Sequence, residues 1–101
     1  MSGPGIVTGL PQELRCLDVF AREAGRPLAR CEGIGPDAAA RAAAALVRDG
    51  CDGLVSFGLA GGLELGLCRG DIVLAHTVRS DGGESWTTDA AWRARLRACL
   101  A

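Results

Sequence analysis

The acid best placed to do chemistry is Glu13, in "TGLPQE", Thr8 to Glu13. It falls one turn into an expected helix, just past a strand that ends in glycine. A carboxylate there could accept a proton during a reaction. Its ordinary role is a first-turn acid that complements the helix dipole, and the residues alone leave both open. Two further segments expose backbone N–H groups. "EGIGPD", Glu32 to Asp37, leads into a helix N-terminus, which favours an anion. "FGLAGG", Phe57 to Gly62, ends a core strand in a run of glycines. Gly58, Gly61 and Gly62 need a reason. Either the turn there requires positive φ, or something small sits against the backbone.

These segments must be positioned by strands and helices. "GIVTGL" (Gly5 to Leu10) reads as a short buried strand. "PQELRCLDVFAREAG" reads as the helix after it, with Pro11 at its first position and Gly25 at its end. Leu14, Leu17, Phe20, Ala21 and Ala24 recur at helical spacing. "RPLARCEGIG" is a weak strand closing on Gly33 and Gly35. "PDAAARAAAALVRDG" is an alanine-rich helix, with Pro36 and Asp37 at its start and Gly50 beyond its end. Arg41 and Arg48 share its polar face. "DGLVSFG" and "DIVLAHTV" read as strands covered on both faces, as in parallel sheets. "RSDGGES" is a turn. "TTDAAWRARLRACL" opens a last helix capped by Thr88 or Asp89, with Trp92, Leu96 and Cys99 or Leu100 on one face. Strands alternate with helices, so the fold class is α/β with a mostly parallel sheet and flanking helices. In open sheets of this kind ligands bind beyond the carboxyl ends of the strands. All three glycine segments fall at that edge.

Composition narrows the function. With 101 residues the chain makes one small domain, residues 1–101. A net charge of -1, from 11 basic and 12 acidic residues, offers no basic patch for nucleic acid. The uncharged stretch Gly53 to Leu63 is too short to span a bilayer. The N-terminus lacks the basic region of a signal peptide, and the chain reads as cytoplasmic. Five cysteines, Cys16, Cys31, Cys51, Cys68 and Cys99, are widely spaced without a C-x-x-C pair. They read as small buried hydrophobes rather than a metal site. His76, inside an apolar run, reads as a satisfied core histidine. Asp71 reads as a loop-holding acid and Glu64 as solvated. "GIG" is not a dinucleotide fingerprint, because Ala38 stands where the third glycine belongs. Neither a Walker loop nor a G-x-S-x-G elbow occurs.

Taken in order, "GIVTGLPQEL", "CEGIGPDAAARAAAAL" and "LVSFGLAGGLELGLCRGDIVLAHTV" resemble the nucleoside phosphorylase and nucleosidase superfamily. The carrying motifs are G-I-G with its alanine-rich helix, then G-x-A-G-G-L, then G-D-I-V. The wording of "SFGLAGGL" and "TDAAWRARL" is most similar to the bacterial hopanoid-associated phosphorylase branch. The resemblance covers nearly the whole chain but only the N-terminal half of the family's three-layer domain. It implies that the C-terminal half is missing, and with it the Met-Glu segment that grips the ribose and the Asp or Asn that addresses the base. It implies cleavage of the N-glycosidic bond of a purine nucleoside, with an adenosyl-lipid precursor as one substrate, through an oxocarbenium-like transition state. Phosphate is then co-substrate and no cofactor is needed. A small-molecule nucleoside and phosphate are the implied partners, and a homo-oligomer is the implied state of the complete protein.

By the same resemblance Gly9 approaches the phosphate or water. Glu13 matches the glutamate with which nucleosidases activate water, the catalytic role. Gly58, Leu59, Ala60, Gly61 and Gly62 match the turn that contacts base and sugar. Leu59 departs from the pattern, because nucleosidases carry a Ser or Thr hydroxyl there. That departure bears against hydrolysis. Phosphorylases also bring arginines to phosphate, and Arg15, Arg30 and Arg69 are available. Three other readings stand beside the phosphorylase: a nucleosidase that uses water, a non-catalytic remnant, and a small flavodoxin-like anion-binding module.

Overall fold

A computed structural model describes residues 3–20 and 27–100. The chain divides at Gly61 into two compact units.

The first unit is a parallel sheet with helices. β1 (Pro4–Thr8), β2 (Leu28–Cys31) and β3 (Gly53–Ser56) pair in the order β2-β1-β3. Gly5 lies beside Leu28 and Leu54, and Val7 beside Arg30 and Ser56. The Phe57 N–H donates to the Val7 carbonyl at 2.9 Å, which carries the ladder one residue past β3. Because the strands are parallel, all three leave the sheet at one edge.

The helix α2 (Pro36–Arg48) packs on these strands. Its boundaries follow from residue types. Pro36 sits at the start, where its missing N–H has no partner to lose. Gly50 ends it with φ of 98°. The N–H of Cys51 then reaches the Leu46 carbonyl and that of Gly50 the Val47 carbonyl, both at 3.1 Å, a Schellman closure. Ala38, Ala42, Ala45 and Leu46 form its buried face. Gly5 explains how close this face lies. A Cβ on Gly5 would stand 3.1 Å from Leu46 Cβ and 2.9 Å from Cys51 Sγ.

The expected helix after β1 forms only in part. α1 spans Pro11–Arg15 and tightens into a 3₁₀ turn over Cys16–Phe20. Asp18 and Val19 are weak helix formers, which suits this tighter winding. Ala21, Ala24 and Gly25 lie outside the described residues.

The second unit corrects one strand. "DIVLAHTV" was expected to join the parallel sheet. Only Thr77–Arg79 forms a strand, β4, and it pairs antiparallel with β5 (Ser85–Thr87). The turn between them is held by Ser80 N–H to the Glu84 carbonyl at 2.9 Å and by Gly83 at φ of 86°. Pairing across so short a turn closes a small loop, which carries little entropic penalty. Asp71 holds its own turn, with Oδ2 accepting the Cys68 N–H at 2.9 Å. Asp89 rather than Thr88 caps α3 (Ala90–Leu100), accepting the Trp92 N–H at 2.8 Å. Thr88 instead donates to the Ala75 carbonyl at 2.6 Å. An open groove of about 640 Å³ runs between α3 and the segment from Ile72 to His76.

The side-chain expectations for cysteine and histidine fail. Cys16, Cys68 and Cys99 are exposed, and Cys31 and Cys51 half-buried. His76 is exposed on the groove, its Nδ1 2.9 Å from Thr77 Oγ1. The strand that would have buried it does not extend that far. Among the described residues no helix is long and apolar enough to cross a membrane.

Candidate functional site

The site builds from the end of β1. Thr8 is buried there, and Gly9 leaves the sheet. Leu10 caps α1 with extended backbone but has no side-chain acceptor to offer. Glu13, at the third helical position, supplies what Leu10 cannot. Its Oε1 accepts the N–H groups of Gly9 and Leu10, both at 3.0 Å. That is the carboxylate half of a capping box.

The other oxygen leaves the helix. Glu13 Oε2 accepts the Leu59 N–H at 2.8 Å, from the segment that follows β3. The carboxylate therefore joins the loop after β1 to the segment after β3, and it is only 7% exposed. The loop after β2 lies against the same place. A Cβ on Gly9 would meet the Gly33 carbonyl and Ile34 Cγ2, each at 3.6 Å. The three glycine segments thus meet at the carboxyl edge of the sheet, where the alternation of strands and helices placed them.

The glycines of "FGLAGG" now separate by cause. None of Gly58, Gly61 and Gly62 has positive φ; Gly33 and Gly35 do, at 115° and 98°. Gly58 is required by clearance, because its Cβ would stand 2.7 Å from Glu13 Cδ and would overlap Oε2. Gly62 belongs to the second unit, where a Cβ would stand 3.2 Å from Leu67 Cδ1. Among the described residues a Cβ on Gly61 would meet nothing within 4 Å. Leu59 and Ala60 are exposed, Leu59 at 84%.

The electrostatics follow from these bonds. The Leu59 N–H, with those of Gly9 and Leu10, holds the Glu13 carboxyl below its ordinary value of 4.5, against the opposing effect of burial. A lowered carboxyl in the folded state stabilises the fold above the unfolded value, and that contribution is lost as pH falls through the folded value. Glu13→Gln is therefore expected to be less stable than wild type at pH 7 in urea unfolding. The gap should close as the pH is taken well below 4.5. A gap of constant size would show that the charge contributes nothing.

Of the arginines considered for phosphate, Arg15 is exposed on α1 and Arg30 stands 3.5 Å from Glu32. Arg69 lies in the second unit. Among the described residues only backbone groups bond to Glu13, and no group of metal-binding side chains gathers. The Leu59 N–H is the partner of Glu13 that residue types did not reveal. Backbone donors carry no signature in a side-chain pattern, and the glycine at position 58 was the available trace of it.

Residues 5–98 match the family model of the phosphorylase superfamily, a span that holds every candidate residue above. No curated protein and no solved structure matches the chain significantly.

Proposed function

The chain belongs to the phosphorylase superfamily, and from that premise we propose that it serves phosphate-dependent cleavage of a purine nucleoside. In this reaction the bond between the anomeric carbon and the base nitrogen breaks. An oxygen of hydrogen phosphate bonds to that carbon, giving ribose 1-phosphate, and the base leaves with the proton that the phosphate gives up. The observation that carries the reading is the Glu13 carboxylate, which clasps the loop after β1 to the segment after β3 at the ligand-binding edge of a parallel sheet. Gly9 and the Gly58–Gly61 segment are then the parts nearest phosphate and ribose.

The same geometry favours phosphate over water. Water must lose a proton to attack, so hydrolysis needs a base. A carboxylate held below its ordinary value by N–H groups is a weak one. Leu59 has no hydroxyl with which to hold a water. Phosphate brings a nucleophilic oxygen already charged. Adenosine-type nucleosides, including adenosyl conjugates with an apolar 5′ extension, are the substrates suggested by the wording of "SFGLAGGL".

The test is release of adenine from such nucleosides with and without phosphate. It is run on this chain and on the chain joined to any coding sequence that follows it. Phosphate-dependent release with formation of ribose 1-phosphate is expected. Release without phosphate would establish hydrolysis instead. No release by either folded form would overturn the enzymatic reading in favour of an anion-binding module or a non-catalytic remnant.

A further inference from the structure

Glu13 does more than the start of a helix requires. One oxygen completes α1 by accepting the Gly9 and Leu10 N–H groups. The other accepts an N–H from 46 residues further along. By Leu59 the segment after β3 has already left the ladder, whose last bond is at Phe57. Among the described residues the Leu59 N–H has no other acceptor. Only an ionised carboxylate presents two acceptor oxygens at once; an amide of the same size turns one of them into a donor. The absence of a Cβ at Gly58 is what lets the carboxylate in.

We propose that Glu13 is a positioning residue. Through the Leu59 N–H its carboxylate sets the conformation of Phe57–Gly61, and it acts on a nucleoside through that segment rather than on the nucleophile. The effect on a nucleoside rests on the phosphorolysis reading. The clasp itself rests on the hydrogen bonds alone.

The test uses two variants that attack one contact from opposite sides. Glu13→Gln removes the second acceptor. Gly58→Ala keeps the carboxylate but places a methyl group in its way. Amide hydrogen exchange, read by nuclear magnetic resonance on labelled chain, reports the Leu59 N–H without any substrate. Exchange at Leu59 is expected to be at least about tenfold faster in both variants than in wild type, the least that a charge-assisted bond is worth. In the turnover assay, KM for the nucleoside should rise at least about tenfold in Glu13→Gln while kcat stays within about threefold.

Equal Leu59 exchange in wild type and both variants would overturn the proposal. So would a kcat loss of about a hundredfold or more at unchanged KM in Glu13→Gln, since that pattern belongs to a proton-transfer role. If neither this chain nor its extended form shows turnover, the phosphorolysis reading falls, and Leu59 exchange still decides whether Glu13 positions the segment.

Discussion

Gly61→Val leaves the fold as stable as wild type and removes nucleoside binding. The two halves of that expectation come from one observation. Among the described residues, its two chain neighbours aside, a Cβ at Gly61 would meet no atom within 4 Å, and the residue does not use positive φ. The described residues therefore give no steric reason for glycine. Its neighbour Gly58 is the contrast, because the Glu13 carboxylate fills the space a side chain would need. A surface substitution that touches nothing shifts stability by no more than about 0.5 kcal/mol. If a ribose or phosphate approaches the backbone at Gly61, valine must clash with it. Overpacking of that kind costs about 1–3 kcal/mol or more, at least about fivefold in affinity. The check is a urea midpoint beside a nucleoside titration. Wild-type binding would remove Gly61 from the site. A lowered midpoint would mean that glycine serves the fold.

Leu46→Ala is expected to be the most damaging change to stability. Leu46 is 1% exposed, and it packs where Gly5 lets α2 approach β1. Its companions in the buried face are alanines, so it supplies most of the apolar volume of that layer. Large-to-small changes at such positions cost about 2–5 kcal/mol. Whole domains hold only about 5–15 kcal/mol. A loss of that size is a large share of what such a domain holds. Denaturant unfolding measures it directly. A loss below about 1 kcal/mol would mean that the helix collapses onto the strand and refills the space.

Much of the first unit was readable from residue types, because its elements are bounded by residues with backbone consequences. Pro36 and Gly50 bracket α2 for reasons of missing N–H and left-handed φ, and both act as expected. The strands at Gly5, Leu28 and Leu54 pair as an alternating α/β pattern requires. Glu13 was recognisable as an acid at a strand exit. What it bonds was not, because Leu59 contributes a backbone donor that any residue would offer. The second unit was harder. The apolar run from Ile72 to Val78 has the composition of a buried strand, yet Val78 pairs with Trp86 across a local turn. Composition reports what a segment could bury and is silent on which partner is nearer. The cysteines failed for a related reason: burial depends on neighbours, and Cys16, Cys68 and Cys99 stand exposed.

The alanine face of α2 has a consequence for stiffness. Ala38, Ala42 and Ala45 have no χ torsion to freeze, and neither has Gly5, which faces Leu46. Ordering these alanines therefore loses almost no side-chain entropy, and Leu46 is the one member of the face with a rotamer to fix. The layer also contains few rotamers that could hop once folded. The strands that present Gly9 and Phe57 rest on a floor that is thin but has few internal degrees of freedom.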